Sequence, residues 1–148
     1  MIQDSRESNP LVFNHPYIEE VLVQKLDVGD YAIQYKTGFI PPIVFERKEH
    51  GDLVQSLTSN YNRFKREILR AKEQGITLII AIEKPLTTIL NGRKYGIVKG
   101  LSIFRKLLTL RWKYGVEHIY FKNREEMATY IVEYYIHLYH KYHKTWNQ

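Results

Sequence analysis

Six residues near the middle of the chain, Ile43-Val-Phe-Glu-Arg-Lys48, constrain its fold more than any other segment. They are apolar and β-branched on entry and charged on exit, the pattern of a strand that leaves a core at its far end. Alternate residues of a strand share a face, so Val44, Glu46 and Lys48 point one way and Ile43, Phe45 and Arg47 the other. A carboxylate and an ammonium therefore lie side by side at the charged end of one strand. Arg47 faces away from them, and a structural ion pair is its expected role.

Around this strand stands a longer pattern, G-D, fifteen residues, E-R-K, three residues, D, running from Gly29-Asp30 to Asp52. Asp30 opens the segment Asp30-Tyr-Ala-Ile-Gln-Tyr35, expected to form a neighbouring strand. Taken singly, each acid has a plain structural use. Gly-Asp most often marks a turn. Asp52 precedes Leu53-Val54-Gln55, a D-x-x-Q capping box whose carboxylate accepts hydrogen bonds from free helix N–H groups. Taken together, two carboxylates and a lysine converging at strand ends suit a hard cation and a hydrolytic water, because Mg²⁺ takes oxygen ligands.

The remaining text alternates strands with helices. Strands are expected near Ile2–Asp4, at 20–26 with alternating Val21, Val23 and Lys25, at 31–36, at 43–48, at 77–82 and at 118–122. A long helix is expected at 53–74, stopped by Gly75, with Leu57, Tyr61, Phe64 and Ile68 as its buried stripe and Arg63, Arg66 and Arg70 on another side. Pro85 starts a short helix or turn, and helices near 101–114 and 123–144 flank the last strand. The whole implies a single α/β domain over residues 1–148, a central mixed sheet flanked by helices.

Charge is unevenly spread. Residues 1–52 hold nine acids against five Lys/Arg, and residues 53–148 seven acids against seventeen, within a net charge of +6. Acids gather where the patterned carboxylates lie, and bases dominate the rest, which suits a polyanionic partner. The absence of cysteine excludes disulfides and thiolate metal sites. No apolar run approaches membrane-spanning length, so the expectation is an intracellular protein that meets no membrane. His137, His140 and His143 recur every third residue, a spacing that drifts round a helix rather than stacking ligands one turn apart, so zinc is not expected there. Tyr130, Tyr134, Tyr135, Leu138, Tyr139, Tyr142 and Trp146 mark either core or a dimer contact.

The G-D…E-R-K-x3-D string resembles the nuclease domain of the XPF family of structure-specific DNA endonucleases, a branch of the PD-(D/E)xK superfamily. Asp4-Ser5-Arg6-Glu7 repeats the D-x-R-E with which that family begins, and Ser56-Leu57, Tyr61-Asn62-Arg63-Phe64 and the strand ending at Glu83 follow in the same order. The resemblance implies a restriction-endonuclease-like fold and a Mg²⁺- or Mn²⁺-dependent endonuclease acting on branched DNA, such as flaps, forks or junctions. It implies Asp30, Glu46, Lys48 and Asp52 as catalytic residues, with Asp4, Glu7, Asp30 and Glu46 as metal ligands. Arg63, Arg66 and Arg70, with Arg93, Lys94 and Lys99 in a glycine- and base-rich loop, are the expected DNA contacts, and a homodimer the expected assembly. Relatives usually carry a tandem helix-hairpin-helix module that this chain does not show, which suggests a stand-alone nuclease such as a phage or mobile element would encode. A non-catalytic DNA-binding or scaffold subunit is the alternative.

Overall fold

A computed structural model describes residues 1–91 and 100–146, with the side chains of 143–146 excepted. Its spine is a six-stranded mixed sheet in the order β2-β1-β3-β4-β5-β6. These strands are β1 (Ile2–Asp4), β2 (Leu22–Gln24), β3 (Tyr31–Ala32), β4 (Ile43–Lys48), β5 (Thr77–Ile82) and β6 (Glu117–Tyr120). β3 is antiparallel to β1 and β4, whereas β1 and β2, β4 and β5, and β5 and β6 pair in parallel.

Both faces of the sheet are covered, as parallel strands require. Along β5, Leu78, Ile80 and Ile82 join one core with Leu53, Leu57, Phe64, Ile68, Leu107 and Leu110. Those last residues belong to α1 (His50–Leu57), α2 (Tyr61–Glu73) and α4 (Gly100–Tyr114), with the short α3 (Leu86–Leu90) beside them. Ile79 and Ala81 face the other way, into a second core with Phe45, Met127, Ile131 and Tyr135. That core is roofed by α5 (Arg124–Trp146). Among the described residues no helix is long and apolar enough to cross a membrane.

The structure departs from the sequence expectations at several boundaries. The single helix expected at 53–74 is two, because Thr58, Ser59 and Asn60 interrupt it. The Thr58 hydroxyl donates to the Val54 carbonyl at 2.6 Å, a local bond that competes with helix continuation. Its start also lies earlier, at His50, with Glu49 rather than Asp52 at the N-cap and no side-chain cap. Asp52 sits inside the first turn, where a negative charge complements the helix dipole. α2 ends as expected at Gly75, whose φ of +70° lets the Gly75 and Ile76 amides close onto the Lys72 and Ala71 carbonyls.

β3 stops after two residues, because the chain bends back through a Tyr35–Gly38 turn with Gly38 at φ +88°. β2 is the sheet's edge, so the alternating Val21 and Val23 stand in solvent, 40 % and 63 % exposed. The expected loop bases Arg93, Lys94 and Lys99 lie outside the described residues. The aromatic residues of α5 divide: Tyr130 and Tyr142 are exposed, whereas Tyr135 is buried and its hydroxyl donates to the Ile43 carbonyl at 2.6 Å. Tyr134 and Tyr135 both meet the Phe45 ring edge-on.

Candidate active site

β4 carries the site's charges out of the sheet centre. Its parallel register sets Glu46 beside Ile80 and Lys48 beside Ile82, on the face that meets α1 and α2. Lys48 Nζ lies 3.3 Å from Glu46 Oε1, and both side chains are mostly buried, 15 % and 10 % exposed. The ammonium also rests 4.9 Å from the centre of the Phe64 ring on α2, a cation–π contact that limits where it can move.

Asp30 reaches the same place from the residue before β3. The chain can bring it there because Gly29 adopts φ +75° and presses against Val44, where a Cβ would collide with Val44 Cγ1. Asp30 is then fixed by backbone on both sides: its N–H donates to the Phe45 carbonyl and its carbonyl accepts from the Asp4 N–H, each at 2.8 Å. One carboxylate oxygen accepts the Arg47 amide at 2.8 Å. Gly-Asp is thus a built position and not merely a turn.

The electrostatics are those of crowded acids. Burial and the Glu7 charge push the Asp30 carboxyl up to about 7, against the opposing hydrogen bond from the Arg47 amide. Burial, then the charges of Asp30 and Glu67, push Glu46 well above the usual carboxylate range, while Lys48 pulls it back only in part. One lysine does not offset the accumulated negative charge.

Glu67, on α2, was not foreseen. Its Oε1 is buried and has no hydrogen-bond partner among the described residues. The surrounding text, Arg63 to Arg70, is rich in bases and reads as a solvated ion-pairing surface. The available signal was Glu67's position three residues after Phe64, on the edge of the buried stripe.

Arg47 points to the opposite face. Its guanidinium donates to Glu7 at 2.6 and 2.9 Å, to Glu83 at 2.9 Å and to Glu49 at 3.2 Å. Burial pulls it down, but Glu7 and Glu83 more than offset this and raise it. Arg124 extends the network to Glu83 at 2.8 Å and to the Asn9 and Pro10 carbonyls at 2.7 Å. The Asp4 carboxylate is likewise engaged, accepting from the Leu26 amide at 2.9 Å and from Arg6 at 3.0 Å. Asp4 and Glu7 therefore spend their carboxylates in ion pairs here, while Asp30, Glu46 and Lys48 are gathered. Among the described residues no three Asp, Glu or His side chains form a ready-made metal cage. Arg63, Arg66 and Arg70 are exposed along one side of α2.

Fold and site together define a class: a restriction-endonuclease-like α/β domain with two carboxylates and a lysine converging at the end of a central strand. The ERCC4 domain matches residues 3–134, and the chain belongs to that family. Among solved structures it is similar to XPF from Aeropyrum pernix, with TM-score 0.63, 23 % identity, 88 % of this chain covered and 60 % of that one. The same protein in complex with DNA gives TM-score 0.65, 24 % identity and coverages of 89 % and 60 %. This chain thus spans about 60 % of the length of those solved chains. No curated protein matches it.

Proposed function

We propose that this chain is a DNA endonuclease that hydrolyses phosphodiester bonds with a divalent cation, Mg²⁺ or Mn²⁺, and that its substrate is branched DNA. The observation that carries the reading is the convergence of Asp30, Glu46 and Lys48 on one side of β4. The donor set fits the cation. Asp30 and Glu46 offer only hard oxygen donors, and their burial beside one another leaves negative charge that a small divalent ion would neutralise.

Asp30 and Glu46 would hold the ion, which when bound supplies Lewis-acid polarisation of the scissile phosphate and a more acidic attacking water. The protein's own groups do the rest. The Arg47 amide keeps the Asp30 carboxylate aimed, and the Phe64 ring keeps the Lys48 ammonium close to Glu46. Lys48 offsets the charge that develops on the phosphoryl oxygens. Asp52 stands in the first turn of α1, where the helix's own N–H groups favour its negative charge. The exposed arginines 63, 66 and 70 hold the DNA backbone through phosphate contacts. The family and the DNA complex of a similar fold support DNA as the polyanion.

The test is cleavage by the purified chain of labelled flap, fork, four-way-junction, duplex and single-stranded DNA with Mg²⁺ or Mn²⁺. Incision of branched DNA, abolished by a chelator, is expected. Binding without incision of any substrate under either metal would overturn the catalytic reading.

A further inference from the structure

We infer that Glu67 is a positioning residue of this site, its unsatisfied oxygen accepting a hydrogen bond from the hydration shell of the divalent ion held by Asp30 and Glu46. The inference rests on the function proposed above. Its origin is one polar atom: Glu67 Oε1 is buried and has no hydrogen-bond partner among the described residues. Native proteins leave few such groups, and each calls for a reason, such as an ion or a water.

The location supplies the reason. Phe64, three residues earlier on α2, places its ring against the Lys48 ammonium, so this edge of the helix overlooks the β4 carboxylates. Glu67 is close enough for its charge to act on both Asp30 and Glu46. Among the described residues no base satisfies that oxygen. Arg6, which also senses Glu67, is committed to Asp4 and to the Leu26 carbonyl. Lys48 is committed to Glu46.

One Glu67 oxygen is withdrawn from water while its charge bears on two other acids, and a cation among them would relieve that crowding. Among the described residues no three acids gather as a ready-made cage. Mg²⁺ suits contact through water, because it dehydrates reluctantly and is usually held by one or two carboxylates with several waters retained. Residues that hydrogen-bond to a metal's inner ligands orient them, and losing one typically costs 10–100-fold in affinity.

Mn²⁺ affinity, measured without DNA by electron paramagnetic resonance of the free ion, tests this on wild type, Glu67→Ala, Glu67→Gln and Glu46→Gln. The expected result is loss of binding in Glu46→Gln and a weakening of about 10–100-fold in Glu67→Ala. Glu67→Gln, which keeps an acceptor but not the charge, should weaken binding by less. The cation-free unfolding midpoint of both Glu67 variants should stay level or rise, because a buried like charge is gone. If Glu67→Ala fails to fold, Glu67→Gln decides, and wild-type affinity in it overturns the inference. So does a lowered cation-free midpoint with an unchanged Mn²⁺-induced increment, which marks a purely structural role. Loss in Glu46→Gln with wild-type affinity in both Glu67 variants removes Glu67 alone. A wild-type chain that binds no Mn²⁺ removes the metal site itself.

Discussion

Arg47 and Lys48 are neighbours in sequence with opposite duties, and strand alternation alone separates them. Arg47 is held between acids, with its side chain and that of Glu7 each only 5 % exposed. Arg47→Ala leaves the Glu7 carboxylate buried without its cation, and a loss of about 3–5 kcal/mol is expected in urea unfolding. Lys48 faces the candidate centre, so Lys48→Ala should slow cleavage strongly at saturating enzyme while DNA affinity changes little. Asp30 adds a pH dependence. Its folded carboxyl titrates near 7 rather than at the ordinary 3.8, so its stabilisation is present below the ordinary value and is lost as pH rises through 7. In chelator, wild type should therefore gain stability relative to Asp30→Asn as pH falls from about 7 towards 5; the opposite slope contradicts a buried, crowded Asp30. Gly29-Asp30 was legible only through the family string, since Gly-Asp alone reads as a turn, whereas strand alternation by itself set Glu46 and Lys48 apart from Arg47. The role of Glu83 was not legible, since its partners Arg47 and Arg124 come from distant segments; Glu67 left only its spacing from Phe64 as a sign, amid bases that read as surface.

At the scale of elements, apolar runs covered on both faces announced themselves. β4 and β5 occupy the expected residues, because short runs rich in β-branched and aromatic residues between turn signals suit strands better than helices. The helix after β4 was misjudged because its apolar periodicity continues across Thr58–Asn60, while the competing hydrogen bond of Thr58 leaves no mark in the pattern. β2 misled differently, its alternation facing solvent at an edge. α2 is the element proposed to meet the polyanion. Phe64, Ile68 and Ala71 are its buried residues, and arginines 63, 66 and 70 occupy another side in solvent. Replacing the three arginines with alanine should weaken binding to all DNA sequences alike. It should also flatten the dependence of log affinity on log salt by roughly one unit per lost phosphate contact. Unchanged affinity and slope, measured by titration across salt concentrations, would move the DNA path off α2.

At the scale of the molecule, the aromatic residues of α5 are divided between core and surface, Tyr135 buried and Tyr130 and Tyr142 exposed, and α4 carries a further exposed apolar stripe. Leu101, Leu108 and Trp112 are 45 %, 43 % and 85 % exposed. Spaced seven and four residues apart, they form one stripe, roughly opposite the buried Ile103, Leu107 and Leu110. A helix apolar on both sides has a second face to cover. Self-association is therefore expected, and Trp112→Ala with Leu108→Ala should shift it towards the 17.7 kDa monomer in sedimentation or light scattering. A wild type that is monomeric at every accessible concentration would contradict this. The central claim concerns Asp30 and Glu46, and cleavage of a labelled fork by Asp30→Asn and Glu46→Gln at saturating Mg²⁺ tests it most directly. Both variants should bind the fork as wild type does and leave it uncut; cleavage at the wild-type rate by either would contradict the assignment of that carboxylate.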